Sequence, residues 1–433
     1  MVPGVISDIT FAQIPRTILG HSIIDGKITY HLFSTSDQAA HARMKRPIVK
    51  YYSMSSILNM EPQMNDVITD FCRHLEDRFM EGSGRGNDFD FGKWIAYYTW
   101  DLISCATFSK PFGYMEKGYD FDKTIYISDQ VADYTAMVGQ MPFLDFLLDK
   151  NPIKRIGPPN LGNVTDISMR NLVSRMQGPE AEKKTDSQKD FLDHFLEAKQ
   201  KSPDVVDNKI ILGYLQVNML AGADTTAITL RAIFDYLITT PRAMKRLEEE
   251  ILAADLDPSV IVPYNTARSM PYLEGVIRES MRMHPGVGML LERYVPETGV
   301  TLPDGSFLPS GVGVGISPYV VGRNKTVWGD NADTFCPERW LQAGGEDTEA
   351  YQQRLRKMNA ADLTFGNGSR ICIGRNIALL EVYKVVPTIL LRYKVLPCDA
   401  KYDFKIISSW FSRQSGLVCK LAKRQVSPLE INA

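Results

Sequence analysis

Between Pro203 and Pro241 the sequence predicts one helix, from about Asp204 to Thr239, that is apolar nearly all the way round. Ile210, Ile211, Leu215, Val217, Met219 and Leu220 cover more than one face of its first half, and Ile228, Leu230 and Ile233 do the same in the second. A helix without a polar face has nowhere to sit but inside. Its length exceeds that of an ordinary globular helix, which suits a rod through the centre of a large α-rich fold. With 433 residues, 44% of them hydrophobic, the chain has ample material to enclose it. Polar residues interrupt the rod in Ala221-Gly-Ala-Asp-Thr-Thr226, where packing alone favours apolar ones. Gly222 removes a side chain so that a ligand can lie against the helix, and a threonine hydroxyl can bond back to the carbonyl one turn earlier. Such openings in a helix accompany functional sites.

No linker divides the chain, so residues 1–433 read as a single domain. The polar stretches Glu81 to Asp88 and Gln177 to Asp190 are short enough for surface loops. Strand signals follow Pro285, in Met289 to Val295, Val300 to Leu302 and Val312 to Ile316, with turns at Pro303-Asp-Gly and Pro309-Ser-Gly. The fold class is therefore mainly α with a minor β-sheet part. A net charge of −2 marks no nucleic-acid binder. Six cysteines without paired spacing argue against a disulfide framework or a zinc site. The first residues, Met1-Val-Pro-Gly-Val-Ile-Ser-Asp, hold neither a signal-peptide core nor the ~20 apolar residues that span a bilayer.

Near the C-terminus, Phe365-Gly-Asn-Gly-Ser-Arg-Ile-Cys-Ile-Gly374 is a glycine-rich loop opening onto a helix predicted over Arg375 to Leu391. Gly366, Gly368 and Gly374 allow left-handed backbone and close approach, so that N–H groups can aim at the sulfur of Cys372. The positive end of the helix would lie beside the thiolate. Arg370 is placed to reach a carboxylate of a cofactor, and Phe365 to shield the sulfur from water. An isolated cysteine is ordinarily a small buried hydrophobe; here the surrounding Phe, Gly and Arg positions favour a metal ligand.

The pattern Phe365-x-x-Gly368-x-Arg370-x-Cys372-x-Gly374 resembles the haem-binding signature of the cytochrome P-450 superfamily. That resemblance implies haem b as cofactor, Cys372 as the axial iron ligand and O2 as co-substrate. Ala221 to Thr226 is similar to the family's oxygen-activation segment, which makes Asp224 and Thr225 the acid and alcohol that manage protons. Glu279-Ser-Met-Arg282 and Phe335-Cys-Pro-Glu-Arg-Trp340 match the segments that supply a buried triad, here Glu279, Arg282 and Arg339. His41 and Lys45, one turn apart, and Arg293 match positions that hold haem propionates. Relative to the family the chain lacks an N-terminal membrane anchor and the first strands, and the resemblance runs from about His31 onward. Pro387, inside the helix after the cysteine, is expected to distort it locally.

Within the superfamily, Trp100 to Gly113 and Ala361 to Phe365 look most like the fungal pisatin-demethylase-like group. This implies a monooxygenase that hydroxylates or O-demethylates a small, largely apolar molecule of secondary metabolism or detoxification. Val217, Ala221, Thr226, Val287, Leu290, Trp410 and Phe411 match the family's pocket segments. Electrons would come from a separate NADPH-dependent flavoprotein reductase, since the chain carries no dinucleotide or flavin fingerprint. The basic run Arg43, Lys45, Arg46 and Lys50 is either part of its docking face or a solvated helix face. The family's full-length members associate with the endoplasmic reticulum membrane on its cytosolic face; this chain without an anchor is expected in the cytosol. Two rivals stay open: a truncated, non-catalytic haem-binding product, and a haem-thiolate isomerase or peroxygenase that needs no reductase.

Overall fold

The long helix forms as expected, with shorter bounds. In a computed structural model of the chain it runs over Asn208–Thr239. The structure describes residues 31–424 except 82–83, 142, 150, 152, 159–161, 178–184, 186–187 and 399–401, together with the backbone of three short strands ahead of them. Helices of eight or more residues are α1 (Gln38–Lys45), α2 (Glu61–Leu75), α3 (Phe91–Phe108), α4 (Thr124–Gln140), α5 (Gly162–Gln177) and α6 (Phe191–Lys201). They continue with α7 (Asn208–Thr239), α8 (Pro241–Ala253), α9 (Pro271–Met283), α10 (Thr348–Ala361) and α11 (Arg375–Arg392). None of the helices among the described residues is long and apolar enough to cross a membrane.

α7 starts late because Asp207 caps it, accepting from the Ile210 N–H at 2.8 Å, and it stops where Pro241 opens α8. Its most extensive partner is α3, which lies along it and is likewise buried on nearly every side. At Gly222 the two helices pack tightly: a Cβ there would stand 2.8 Å from Ile103 of α3. The missing side chain therefore makes room for a neighbouring helix, and the ligand contact expected at Gly222 is corrected to a helix-packing contact.

The strands form small sheets around the helical core. β5 (Leu291–Tyr294) is the middle strand of a sheet with β1 (Ala12–Gln13) and β8 (Gly313–Ile316), both antiparallel to it, with Leu291 opposite Ile316 and Gln13 opposite Arg293. β12 (Val418–Lys423) stands between β4 (Phe89–Asp90) and β9 (Tyr393–Pro397). Hairpins pair β2 (Ser22–Ile24) with β3 (Lys27–Thr29), β6 (Val300–Thr301) with β7 (Phe307–Leu308), and β10 (Lys405–Ser408) with β11 (Ser412–Ser415). β5, β6 and β8 fall within the three expected segments, whereas β9 to β12 carried too little alternation to be read. α11 is continuous through Pro387, which is buried. The Gln177 to Asp190 loop lies mostly outside the described residues.

α9 carries the interaction that fixes this arrangement. Glu279 is fully buried, and its carboxylate accepts from Arg282 at 2.7 and 2.8 Å, from Arg339 Nε at 3.2 Å, from Trp340 Nε1 at 2.9 Å and from the Cys336 N–H at 3.0 Å. The two arginines spend their remaining N–H groups on carbonyls, Arg282 on Ala332 at 2.7 Å and Arg339 on Asn331 at 2.9 Å. The Pro337–Trp340 turn can come this close because α9 presents Gly275, where a Cβ would meet Pro337 O at 2.7 Å. Removing one partner of a buried ion pair costs ~3–5 kcal/mol because the other charge stays buried. Glu279→Ala is therefore expected to lower the unfolding free energy by that amount, seen as a lower urea midpoint at unchanged slope, with Glu279→Gln intermediate because it keeps acceptor capacity. A midpoint equal to the parent's would show that the triad contributes nothing to stability.

Candidate active site

The cysteine loop leaves α10 and turns sharply twice, at Gly366 with φ 71° and Gly368 with φ 68°, where a side chain would be strained. Gly374 differs from expectation: its φ is −80° and it caps α11. A Cβ there would sit 3.9 Å from Cys372 Sγ in ordinary contact, so the protein by itself tolerates a side chain at that point. The Cys372 N–H donates to Phe365 O at 2.8 Å, closing the loop. Cys372 lies deep in the protein yet is solvent-accessible at its outer side. Burial pushes its thiol up, opposed by the N–H groups of Gly374 and Arg375 that bond the sulfur and by the charges of Lys45 and Arg375. The Arg375 guanidinium stands 6.0 Å from the centre of the Phe365 ring.

Four basic side chains from three elements gather beside the loop. Lys45 Nζ donates to Ser369 O at 3.0 Å, Arg370 to Thr35 O at 2.6 Å, and Arg293 to the adjacent Glu292 O at 2.7 Å; His41 is buried one turn before Lys45. Among the described residues none of the four has a carboxylate partner, and each is held below its usual value. Arg370 falls to about 10 through burial and then the charge of Arg293, and His41 to about 4 through burial and then the charges of Arg370 and Lys45. For Lys45 burial again leads and Arg370 follows, while burial alone lowers Arg293. Clustered cations without a counter-charge are the signature of an anion-binding edge.

α7 presents a stripe of partial exposure in an otherwise buried rod, at Val217, Ala221 and Thr225, four residues apart. Thr225 Oγ1 donates to Ala221 O at 2.7 Å, the back-bond that a threonine in this segment can make. The next wall is the chain after His284-Pro285. A Cβ on Gly286 would be 3.9 Å from Thr225 Cβ, and Gly286 O accepts from the Ser412 N–H at 3.0 Å. His284 Nε2 donates to Ser412 O at 2.7 Å, so the segment with Val287 and Leu290 is tied to the turn carrying Trp410 and Phe411. Val287 and Phe411 are half-buried and Leu290 is 44% exposed. Trp410 is buried, edge-on to Phe33 at 6.4 Å. Thr226 departs from the expected pocket wall: at 2% exposure it points into packed core, because one residue on a helix turns the side chain by about 100°.

Asp224 also does not share the space of Thr225. Its carboxylate accepts from Trp100 Nε1 at 3.1 Å and Ser128 Oγ at 2.7 Å, and burial pushes its acidity down by raising its pKa. Neither partner was identified from sequence, where nothing local links residues so far apart in the chain. Tyr52 was missed for the same reason. Its hydroxyl bonds Asn218 Oδ1 on α7 while its carbonyl accepts from Asn376 Nδ2 at 2.8 Å, joining the central helix to the start of α11 beside Cys372.

Fold and site together define a helical protein with a thiolate donor at a helix N-terminus, facing a largely apolar space with cations at its edge. The cytochrome P450 family profile matches residues 8–420, and the chain belongs to that family, whose members hold haem iron through a cysteine thiolate and use O2. The match begins ahead of His31, where the motif-based resemblance starts. The chain is 45% identical over 402 residues to cytochrome P450 monooxygenase cfoH of Aspergillus candidus, covering 93% of this chain and 74% of that protein. It is 38% identical over 380 residues to a cytochrome P450 monooxygenase of Aspergillus terreus, covering 86% and 74%. With cytochrome P450 monooxygenase cicH of Emericella nidulans the identity is 32% over 403 residues, covering 93% and 78%. The protein is a monooxygenase of this family.

His41 gives a pH test of the cationic edge. Its pKa of about 4 lies below the unfolded value, so folded protein resists protonation and stability is lost as pH falls from about 6.5 through 4. An anion beside Arg370 and Lys45 cancels their repulsion and raises that pKa. NMR titration of the imidazole is expected to show His41 neutral at pH 6 without haem and shifted upward with it; an unchanged midpoint would place the anionic groups elsewhere.

Proposed function

We propose that this chain acts as one catalytic domain, inserting one oxygen atom of O2 into a small, largely apolar organic molecule of fungal secondary metabolism or detoxification, by hydroxylation or O-demethylation. The observation that carries the reading is the cysteine loop, with two backbone N–H groups on the sulfur of Cys372 and, nearby, three cations and a neutral histidine that no carboxylate among the described residues neutralises. These residues fit haem b. A thiolate is the axial donor, and Arg370, Arg293, Lys45 and His41 would take the two propionates, which supply the missing negative charge. Gly366 and Gly368 make the two sharp turns that bring the loop round the sulfur, and the absent side chain of Gly374, beside Cys372 Sγ, would leave room for the ring.

Haem held in this way supplies the oxygen chemistry and draws its electrons from a separate NADPH-dependent flavoprotein reductase. The chain's own work is to position and to manage protons. Cys372 donates charge through its sulfur, and its N–H bonds keep the thiolate from becoming too basic. Thr225, with its proton given to Ala221 O, keeps its lone pairs free to accept from solvent or a bound hydroxyl. Val217, Ala221, Val287, Leu290 and Phe411 form a mostly apolar wall that favours an apolar substrate and excludes water. Burial favours a proton on Asp224, which Trp100 and Ser128 hold on another side of the helix from Thr225.

Cys372→Ser is expected to lose the red-shifted band of the reduced, CO-bound protein together with all product formation. Retention of that band would rule out Cys372 as ligand. Thr225→Ala is expected to keep haem and substrate binding but to divert most NADPH-derived electrons to hydrogen peroxide, seen as a fall in product formed per NADPH consumed. Equal coupling in parent and Thr225→Ala would make the back-bonded threonine purely structural.

A further inference from the structure

The loop that carries Cys372 also holds the one Asn-Gly step of the chain, Asn367-Gly368; every other asparagine is followed by a residue with a side chain. Asn367, Gly368 and Ser369 are all exposed, at the tip of a turn that the Cys372 N–H closes on Phe365 O at 2.8 Å. Asn367 is extended, with φ −150° and ψ 165°, and Gly368 follows in the left-handed region at φ 68°. The Gly368 N–H donates to Asn367 Oδ1 at 2.6 Å, so the backbone nitrogen faces the side-chain amide of the residue before it. Asn367 Nδ2 makes no hydrogen bond to a described residue. Inside a helix or a sheet the same nitrogen is committed to a distant carbonyl, and a Cβ on the next residue crowds any approach to it. Neither protection exists at this step.

We propose that Asn367 is a site of spontaneous covalent modification, deamidating through a cyclic imide to an aspartyl or isoaspartyl residue. Gly368 N gives its proton to hydroxide and forms a bond to Asn367 Cγ. The Cγ–Nδ2 bond breaks, and with a proton from water ammonia leaves. Water then opens the imide at one of its two carbonyls. Attack at Cγ gives aspartate, whereas attack at the backbone carbonyl gives isoaspartate, whose main chain runs through Cγ and is one methylene longer. The net exchange is one water for one ammonia, and no electron moves. Asparagine is among the thermolabile side chains for this reason.

Either product sets a new carboxylate beside cations that have none. Two residues on, Ser369 O accepts from Lys45 Nζ at 3.0 Å, and Arg370 follows. Burial and then the charge of Arg370 lower Lys45, and burial and then the charge of Arg293 lower Arg370. A carboxylate at position 367 draws on the positive charge that would otherwise hold the haem propionates. The extra methylene of isoaspartate also lengthens the turn that the Cys372 N–H closes. The chemical step stands without the monooxygenase reading, while its effect on haem rests on that reading.

The test incubates the full chain, with and without haem, between pH 6 and pH 9, and follows it by mass spectrometry after digestion with trypsin. Isoaspartate is counted by methyl transfer from a protein isoaspartyl methyltransferase. Residues 358–370 form one tryptic peptide that also contains Asn359, which lies on α10 and precedes Ala360, so the control is built in. Exchange of NH for O is expected at Asn367, faster at higher pH because Gly368 N must lose its proton, with Asn359 unchanged. Asn367→Ser forms no imide yet keeps an oxygen for the Gly368 N–H, and Asn367→Asp carries the new charge from the start. Transfer of haem to a scavenger protein is expected to be severalfold faster from aged parent and from fresh Asn367→Asp than from fresh parent, and unchanged by ageing in Asn367→Ser. An intact Asn367 after incubation at pH 9, or equal modification at Asn359, would overturn the proposal. Haem transfer unaffected by both ageing and Asn367→Asp would overturn the claimed effect on the cationic edge. Should the chain take up no haem at all, the haem reading falls, and the mass spectra still decide whether Asn367 is modified.

Discussion

A single buried carboxylate holds the frame on which the site is built. Taking Glu279 out of water costs several kcal/mol, and that cost is offset only because two guanidiniums, an indole N–H and a backbone N–H converge on it. Each of those donors comes from the segment between Cys336 and Trp340 or from α9 itself. The carboxylate therefore fixes where the segment leading to α10 sits relative to α9. From there the constraint passes onward: Arg354 on α10 is bonded to Leu341 O at 2.9 Å and to Glu346 at 2.7 and 2.8 Å, so α10 delivers the chain to Asp362 in one position. The cysteine loop follows immediately. Misplacing Glu279 would shift the loop without touching a residue of it.

What could be read from the sequence shares one property: the information lies within a few residues. Pro203 before an apolar run, Pro241 after it, glycines flanking one cysteine and Glu279 three residues before Arg282 are local patterns with local causes. Arg339 was reached through a family motif, and its contact with Glu279 then followed from charge. What stayed hidden depends on distant residues. Gly222 was read as a place for a ligand because its neighbour Ile103 is invisible in a linear sequence. Asp224 was paired with Thr225 as acid and alcohol through the family resemblance, and nothing in the linear sequence shows that Trp100 and Ser128 hold it on another side of the helix. The last four strands went unread because they carry too little alternation, and for β12 the pairing with the distant β4 has no local trace either.

Consecutive residues on α7 therefore serve separate environments. Helix geometry turns Asp224, Thr225 and Thr226 by about 100° each, toward a buried polar seam, an open apolar space and packed core respectively. A helix buried all round makes this division possible, because each direction meets a different wall. The polar segment in its middle is not a flaw in the hydrophobic rod but three contacts made in three directions.

The charges follow the same division. On the cysteine side lie the cations Lys45, Arg293 and Arg370 with the neutral His41, without a carboxylate partner among the described residues. On the α4 side lie Asp224, Asp129 and Asp133, with Arg413 and Arg231 among them. The first group gains by binding an anion, which removes mutual repulsion between buried cations. In the second, burial raises the carboxyls of Asp224 and Asp129, the latter to about 6, and Arg413 and Arg231 oppose the rise. One side of the central helix is thus set to capture negative charge and the other to balance buried carboxyls against arginines, while Thr225 spends its proton on its own helix and faces the apolar space.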